Sequence, residues 1–313
     1  MTDLKGIHSD SFLESGRTKQ RSAFLITTSR SVIVLDGISA TGTRISTGQG
    51  LYYGITRDLN YIYVAARNRL VSSTTPSSEE RGEILVLDHC LKHVNSLSAP
   101  FPMRDLHQIL AHEGKLWATC AFDNMIAVFD GQEWRQWFPS GQAEKLPADV
   151  NHFNSLSVIE NNLCLVAHNW GPSMLMLFDL PKLRPIRTIE LGLCTHNAWM
   201  DREELMICSS DDSCILGING TRVETGGFPR GIACFNDEVY VGVSERAERS
   251  ERDFSNASIL AFDRQWQRLR TIELPHEGMV LDLMPVDFDL WRLASESGNF
   301  EPVSFPIVPY SSK

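Results

Sequence analysis

The sequence predicts an all-β protein, a six-bladed β-propeller with four-stranded blades. Three observations lead to this fold class. A frame of short strands repeats about every 40–50 residues, which is typical of propeller blades. Amphipathic patterns of about 10–15 residues, which would indicate helices alternating with strands, are missing almost everywhere. The two ends of the repeated region carry incomplete units that complement each other.

Each repeat opens with a polar cluster and an apolar first strand. A turn, a β-branched second strand and a third strand that often ends in Asp follow. The second strands are predicted at 61–65, 116–120, 163–167, 205–208 and 239–243, and the third strands at 84–88, 126–130, 175–179, 215–219 and 259–263. Short, exposed fourth strands are predicted at 134–137, 185–188 and 269–272.

The last blade is predicted to be closed by segments from both ends of the chain. Residues 24–28 and 31–36 have the pattern of second and third strands without a first strand, and 279–283 has the pattern of a first strand alone. Pairing them closes the ring of blades without open sheet edges. The predicted organisation is a flexible arm at 1–22, a propeller at 23–286, and a tail at 287–313 that packs on or extends the propeller.

Composition excludes several classes of function. The net charge is −10 over 313 residues, whereas nucleic acid or an anionic membrane as partner would require a basic face. No apolar run is long enough for a transmembrane helix, and the polar residues 1–21 lack the apolar core of a secretory signal. The seven cysteines form no CxxC pair, which favours reduced thiols and a cytoplasmic location.

Two connections between second and third strands are unusually long, at 67–82 and 245–256. In a propeller these connections lie on the face where the first strands begin. Long loops on one face of a rigid scaffold often carry function. The mixed Glu and Arg composition of the second loop also fits a simple solvated surface, so both interpretations stay open.

The polar residues that open the first strands define the predicted site. Aligning these strands by their apolar frame places one variable residue of each blade at the mouth of the central channel. Packing alone does not explain six non-aliphatic residues there, because burying polar groups without partners is costly. This predicted channel ring consists of Tyr53, His107, Asn154, His196, Arg230 and Glu277.

A second tier of residues is expected on the same face. Asp105 and His152 each precede a channel-ring residue by two positions, and Asn197 follows His196. The second strands return to this face, so that four of the nine histidines map to one rim. The residues at the ends of the second strands include Arg67, His168, Asn169 and Glu245, with Trp170 in a following Gly-Pro turn as a candidate stacking wall.

Two kinds of chemistry fit this rim. In the first, a divalent metal is bound by His107 and His196, with a third ligand from His152, His168, Glu277 or Glu245. Imidazole and carboxylate ligands suit zinc, iron, manganese or nickel, and such an ion polarises a carbonyl group or activates water. The candidate metal ligands are His107, His152, His168 and His196.

The second chemistry uses no cofactor, and a histidine acts as general acid or base. Asp105 or Glu277 would set its tautomer and pKa. Arg230 and Arg67 would bind a carboxylate or phosphate of the substrate through paired hydrogen bonds. The catalytic candidates are His107, His152, His196 and Glu277, and the substrate-binding candidates are Tyr53, Arg67, Asp105, Asn154, Asn169, Trp170, Asn197, Arg230 and Glu245.

Structural roles are the alternatives for these residues. A histidine that opens a strand is commonly a hydrogen-bonded structural residue. Arg230 and Glu277 can form an ion pair that lines the channel, and the asparagines can hold channel water. Cys120 and Cys208, which end second strands near the rim, are interpreted as core thiols.

The repeated frame resembles the six-bladed propellers of the NHL, gluconolactonase-like and streptogramin-lyase-like group. An uncharacterised bacterial propeller family of unknown function is more closely similar over most of 23–285, in the motifs at 106–108, 151–155, 195–197, 228–231 and 242–245. This resemblance implies that these motifs meet in one pocket, and it implies no reaction. The calcium site of the gluconolactonase-like enzymes is built from Glu, Asn and Asp, whereas the rim here is rich in histidine.

The leading functional hypothesis is an enzyme of lyase, hydrolase or isomerase type that acts on a polar or anionic small molecule. The alternative is a non-catalytic ligand- or protein-binding propeller that uses the same rim and the two long loops. A titratable rim favours the enzyme, because scaffold propellers tend to display aromatic and aliphatic residues there. Substrate and oligomeric state do not follow from the sequence.

Overall fold

Six antiparallel sheets of four or five strands form the computed structural model, which describes residues 23–47, 50–141, 148–235, 237–289, 291–292 and 300–310. The predicted all-β, six-bladed propeller is confirmed. The first strand of each repeat lies at the inner end of its sheet and contacts the first strands of adjacent blades. The predicted arm at 1–22 lies outside the described residues.

Blades 1 to 4 are each built from four consecutive strands, which follow one another from the channel outwards. Blade 1 contains Tyr52–Arg57, Ile62–Ala66, Glu83–Leu87 and His93–Leu97. Blade 2 contains Leu106–His112, Lys115–Cys120, Met125–Phe129 and Trp134–Trp137. Blade 3 contains Phe153–Ile159, Asn162–Ala167, Pro172–Asp179 and Pro185–Leu193. Blade 4 contains Thr195–Asp201, Glu204–Ser209, Cys214–Gly217 and Arg222–Glu224.

Blades 5 and 6 have five strands because the C-terminal segment adds one strand to the outer edge of each. Blade 5 contains Phe228–Phe235, Glu238–Ser244, Ala257–Asp263, Arg268–Leu274 and Ile307–Pro309. Blade 6 contains Val280–Val286, Ala23–Thr28, Ser31–Asp36, Thr41–Thr47 and Glu301–Ser304. The N-terminal and C-terminal segments thus close blade 6 together. The added strands also cover two sheet edges that would otherwise expose unpaired backbone groups.

The core lies between neighbouring blades, because alternate side chains of each strand point towards the next sheet. Between blades 2 and 3, Trp117, Phe153 and Phe178 share one buried cluster. Between blades 5 and 6, the side-chain rings of Phe24 and Tyr240 lie 4.8 Å apart. This packing holds the innermost strands, and therefore the channel, in a fixed arrangement.

Two short helices lie between strands in the described part of the chain. The 3-10 helices Ser77–Glu79 and Ala121–Asp123 lie in connections of blades 1 and 2. No helix among the described residues is long and apolar enough to cross a membrane. All seven cysteines are free thiols, five of them buried.

Candidate functional site

The channel ring lies at the start of the innermost strands. Each of these strands has an irregular step in its pairing with the second strand close to its beginning, as between Leu106 and Ile109 in blade 2. The same step recurs in the other five blades, which aligns all six strands. In this alignment the channel ring consists of Tyr53, His107, Asn154, His196, Arg230 and Leu281.

The predicted position of Glu277 is wrong, because the innermost strand of blade 6 begins only at Val280. Leu281 occupies the sixth channel-ring position, and it packs in the same cluster as Tyr53. Glu277 is buried in the preceding turn, where its carboxylate pairs with Arg44. The catalytic role predicted for Glu277 therefore has no support in the geometry.

A collar of residues stands two positions before the channel ring. It consists of Asp105, His152, Cys194 and Phe228 of blades 2 to 5. The first three have positive φ angles of 53°, 46° and 51°, a strained conformation for residues other than glycine. Asp105 and His152 are predicted from the sequence, whereas Cys194 and Phe228 are not, although the same two-residue offset from His196 and Arg230 indicates both.

Aromatic contacts join the channel ring and the collar into one continuous line. Tyr53 lies 4.4 Å from His107, between side-chain ring centroids, and His107 lies 4.8 Å from His152. The line continues through His168 to His196 and ends at Phe228, with centroid distances of 5.1, 6.1 and 5.6 Å. The structure therefore brings the four predicted histidines together at one mouth of the channel.

Hydrogen bonds fix which nitrogen of His107 and His196 carries the proton. His107 Nδ1 lies 2.8 Å from the carbonyl oxygen of Asp105, so Nδ1 is the donor. His196 Nδ1 lies 2.8 Å from Ser210 Oγ, and that hydroxyl donates its own proton to the carbonyl oxygen of Pro229 at 2.7 Å. Ser210 must therefore accept from His196. In both histidines Nε2 keeps a free lone pair, as in a general base or a metal ligand.

His152 and His168 have opposite tautomers. His152 Nδ1 lies 2.7 Å from a carboxylate oxygen of Asp149 and donates to it, which leaves Nε2 as an acceptor. In His168, Nδ1 accepts the backbone N–H of Trp170 at 2.9 Å, so the ring proton sits on Nε2, 2.6 Å from Cys194 Sγ. His168 therefore cannot take a proton from Cys194 at that atom.

Three of the histidines, His107, His168 and His196, and the collar thiol of Cys194 are uncharged at neutral pH. Burial lowers the pKa of His107 well below its usual value, and Asp105 only partly opposes this effect. The pKa of His196 is also lowered well below its usual value, by burial and then by the charge of Arg230. Burial, then His152 and Arg230, lower the pKa of His168 to about 4, and burial raises that of Cys194 to about 12. Neutral imidazoles explain how His168 and His196 lie with ring centroids 6.1 Å apart without repulsion.

Arg67 neutralises two carboxylates rather than facing a substrate. Its Nε and Nη2 donate to Glu80 at 2.6 Å each, and its Nη1 pairs with Asp105. Burial by itself would raise the pKa of Asp105, but the neighbouring groups, Arg67 first among them, together outweigh it and hold this pKa well below its usual range. The predicted role of Arg67 in substrate binding is thus not supported. Its partner Glu80 lies in the long 67–82 loop. The sequence shows that this loop contains acidic residues, but it does not indicate that one of them pairs with Arg67.

Arg230 has no such counter-ion. Among the described residues, its guanidinium makes cation–π contacts with Phe228 at 5.1 Å and Tyr53 at 6.0 Å, and no ion pair. Its Nε is buried without a hydrogen-bond partner, as is Nε2 of His196, a residue only 4% exposed. A positive charge and a basic lone pair thus share the channel mouth without protein partners.

The other predicted binding residues have different positions. Asn154 donates to the carbonyl oxygen of Thr195 at 2.9 Å, and its own side-chain oxygen is buried without a partner. Asn169 lies in the strained turn beside Trp170. Glu245 is exposed, accepts from Asn256 at 3.2 Å, and lines a groove of about 850 Å³ between blades 4 and 5, outside the channel ring.

A polar plate closes the channel beneath the channel ring. It consists of the residues that follow the ring positions, namely Gly54, Gln108, Ser155, Asn197, Gly231 and Asp282. Asn197, predicted to bind substrate, instead accepts the backbone N–H of Gly231 at 2.8 Å. Gly231 has φ +76°, and a Cβ there would lie 2.8 Å from the backbone of Asp282. The plate therefore fixes the height and register of the channel ring.

The two long loops meet above blade 6. The buried carboxylate of Asp253, in the loop of blade 5, accepts the backbone N–H groups of Val71 and Ser72 at 2.9 and 2.8 Å. Both loops therefore form one fixed wall beside the mouth. The sequence predicts both loops on one face but does not indicate the hydrogen bonds that connect them.

Asp105, His107 and His152 form a possible metal site, with one potential ligand atom from each within 4.8 Å of the others. The donor set of two imidazoles and a carboxylate suits first-row transition metals. Asp105 would divide its carboxylate between an ion and Arg67. Its oxygens lie 3.5 Å from Nδ1 of His107 and 4.0 Å from Nδ1 of His152, and both of these nitrogens already donate hydrogen bonds. The ligand types fit a divalent metal, whereas the positive charge of the Arg67 guanidinium beside Asp105 would repel a metal cation.

No protein-family profile and no curated protein match the chain. Solved structures match it at low sequence identity. A protein of unknown function from Bacteroides caccae is 10% identical, with a TM-score of 0.61 over 85% of this chain and 99% of that one. A chain of a nidogen–laminin complex is 13% identical, with a TM-score of 0.59 over 85% and 98%.

The periplasmic gluconolactonase PpgL of Pseudomonas aeruginosa is also similar. It is 13% identical, with a TM-score of 0.51 over 85% of this chain and 99% of that one. At such identities the similarity concerns the fold and carries no reaction over. The predicted resemblance to gluconolactonase-like propellers is confirmed at that level.

Proposed function

We propose that this chain is an enzyme that acts on a small anionic molecule at the channel mouth. In this proposal Arg230 binds the anionic group and His196 Nε2 accepts a proton from the substrate. The observation that carries it is the pair of buried, unpartnered atoms, His196 Nε2 and Arg230 Nε.

Arg230 is half-buried and has no carboxylate counter-ion among the described residues. Taking a charge out of water is costly unless a partner compensates it, and Arg67 and Arg44 each have a carboxylate partner. A carboxylate or phosphate of a ligand would supply that partner through two parallel hydrogen bonds. Aromatic contacts with Phe228 and Tyr53 hold the guanidinium in place meanwhile.

The tautomer and the neutral state of His196 fit a general base. Ser210 holds the proton on Nδ1, so the lone pair of Nε2 is the basic atom. The lowered pKa keeps this imidazole neutral at physiological pH, which is the form that a general base requires. A positive charge nearby also stabilises the anion that forms when a proton leaves carbon or oxygen.

A divalent ion at Asp105, His107 and His152 would add a Lewis acid to this site. Zinc, iron, manganese and nickel are the candidates for two imidazoles and a carboxylate. When bound, such an ion would polarise a carbonyl oxygen of the substrate. Asp149, which accepts from His152 Nδ1, would then orient that ligand from behind.

Zinc titration tests this ion. We expect the wild type, after dialysis against zinc and removal of excess, to retain on the order of one zinc per chain, and His107→Ala to retain almost none. Elemental analysis measures both. His112→Ala, on the same strand but outside the site, is the matched control. Equal zinc content in wild type and His107→Ala would exclude a metal at these residues.

Binding of simple anions tests the role of Arg230. We expect Arg230→Met to weaken acetate and inorganic phosphate binding by about 30-fold or more, since removing one partner of a desolvated charge pair costs at least about 2 kcal/mol. Arg230→Lys should lose less affinity for both anions than Arg230→Met. Isothermal titration calorimetry measures the affinities, with Arg135→Met, an exposed residue on the outer strand of blade 2, as control. Unchanged affinity in Arg230→Met would overturn the proposal.

Non-catalytic binding of a larger partner is the second candidate, because the two long loops form one wall through Asp253. That wall presents the exposed side chain of Phe254, whose ring lies 4.6 Å from the guanidinium carbon of Arg30. A binding partner would contact this wall and would not need the free lone pair of His196. Partner binding that survives Arg230→Met and is lost in Phe254→Ala would favour this candidate.

A further inference from the structure

Trp170 stands beside the channel mouth in an unusual state. Its side chain is 63% exposed, whereas none of the other six tryptophans is among the exposed large apolar residues. Its φ is 55° and that of Asn169 is 56°, so two consecutive residues occupy the left-handed region. A bulky residue pays a steric cost there that glycine would not. An exposed indole gains little from burial to offset this cost.

The indole is nevertheless held firmly. Its Nε1 donates to the carbonyl oxygen of Asp149 at 2.7 Å. The backbone N–H donates to His168 Nδ1 at 2.9 Å. Its ring lies 4.6 Å from that of His152 and 5.2 Å from that of His168, between centroids. The fold therefore fixes an exposed aromatic surface against the histidines of the site.

We propose that Trp170 is a stacking platform that selects substrates carrying a flat unsaturated ring beside the anionic group. This inference rests on the proposed function and specifies its substrate class. The aromatic line from Trp170 through His168 and His196 reaches Phe228, whose ring Arg230 covers at 5.1 Å. In the order of these contacts His196 lies between Trp170, which would hold the ring of a ligand, and Arg230, which would hold its carboxylate. Offset or edge-on ring contacts favour such a ligand over an aliphatic acid.

Phenylacetate and acetate are the matched probes, because they share the carboxylate and differ in the ring. We expect the wild type to bind phenylacetate about tenfold more tightly than acetate. Trp170→Ala should abolish this preference and leave acetate affinity unchanged. Trp170→Phe, which keeps a ring and lacks the indole N–H, should retain most of the preference. Isothermal titration calorimetry on the full chain measures all six affinities.

Two results would overturn the platform. One is an equal preference for phenylacetate in wild type and Trp170→Ala. The other is an equal loss in Trp170→Ala and Trp170→Phe, which would assign the effect to the hydrogen bond with Asp149 instead of the ring face. Arg230→Met separates this inference from the proposed function. If that variant keeps both affinities, the anion site fails; if it loses both while Trp170→Ala changes neither, only the platform fails.

Discussion

Replacing His196 by glutamine is expected to slow proton abstraction by about 100-fold to 10,000-fold, the usual contribution of a positioned general base. Glutamine keeps a side-chain amide that can hydrogen-bond to Ser210, but it offers no basic lone pair. Exchange of acidic C–H groups for deuterium detects the reaction without knowledge of the product. A panel of small carboxylates with acidic C–H bonds, followed in D₂O by proton NMR, measures it.

The pH dependence of this exchange provides a second and more specific test of His196. The base must be unprotonated, so the rate falls as pH drops through the pKa of His196. Because burial and Arg230 lower this pKa, the rate should stay on its plateau below pH 6.5, the ordinary value for histidine. Arg230→Met removes one of the two causes. In this variant the exchange rate should therefore begin to fall at a higher pH than in the wild type.

Half-exposed His112 provides the control, since His112→Gln removes an imidazole outside the site. It should exchange protons at the wild-type rate. Two outcomes contradict the role of His196: exchange that survives in His196→Gln, or an acidic limb that does not move in Arg230→Met. Absence of exchange with every member of the panel would refute base catalysis on this class of acids.

Five of the six channel-ring positions could be predicted because the repeat makes them equivalent. Tyr53, His107, Asn154, His196 and Arg230 each follow an apolar frame that recurs in blades 1 to 5. Blade 6 is assembled from both ends of the chain, so its first strand has no local second strand to fix the register. Its true boundary depends on pairing with Ala23–Thr28, more than 250 residues away in sequence. The ion pair of Glu277 with Arg44, 233 residues away in sequence, does not follow from the local sequence either.

The electrostatic partners of the site were also beyond the sequence. The sequence predicts that Arg67 binds substrate. In the structure its guanidinium instead pairs with Glu80, which the 67–82 loop places beside it. Ser210 and Asp149 set the tautomers of His196 and His152, and both lie in connections whose path a repeat pattern does not specify. The repeat determines which residue stands at the start of each innermost strand. Loop geometry determines which of them remain free to bind a ligand.

The four histidines consequently differ in chemistry despite their common position. His107, His152 and His196 offer Nε2 as acceptor, whereas His168 offers a donor to Cys194. A cluster of four identical ligands would favour a metal centre above all. Three acceptors, of which His196 stands nearest Phe228 and Arg230, instead divide the rim into a possible metal side and a base side.

Asp282→Ala is expected to produce the largest loss of stability. The carboxylate of Asp282 accepts from the backbone N–H of Ile55 and the side chain of Gln108 at 2.9 Å, and it also bonds the side chain of Asn197. It thus connects the innermost strands of blades 1, 2, 4 and 6 at the centre of the plate. Each buried donor left without a partner costs about 1–3 kcal/mol, so a loss of about 2–4 kcal/mol is expected at pH 7.5.

The pH dependence of this loss has an unusual sign. Burial raises the pKa of Asp282 from 3.8 to about 6, against the hydrogen bonds it accepts. Between these values the folded state binds more protons than the unfolded state, so the contribution of Asp282 to stability is largest below pH 4 and declines as pH rises through 6. The deficit of Asp282→Ala should therefore grow as the solution is acidified, by about 2 kcal/mol from pH 7.5 to 4.5.

Urea unfolding of wild type and variant at the two pH values measures this difference directly, because contributions from other titrating groups largely cancel between the two proteins. Asp58→Ala is the matched control. Hydrogen bonds from Asn60, Tyr63 and Tyr61 outweigh burial and lower the pKa of Asp58, so the deficit of that variant should shrink on acidification. A deficit of Asp282→Ala that stays constant or shrinks on acidification would contradict the raised pKa of Asp282 in the folded protein.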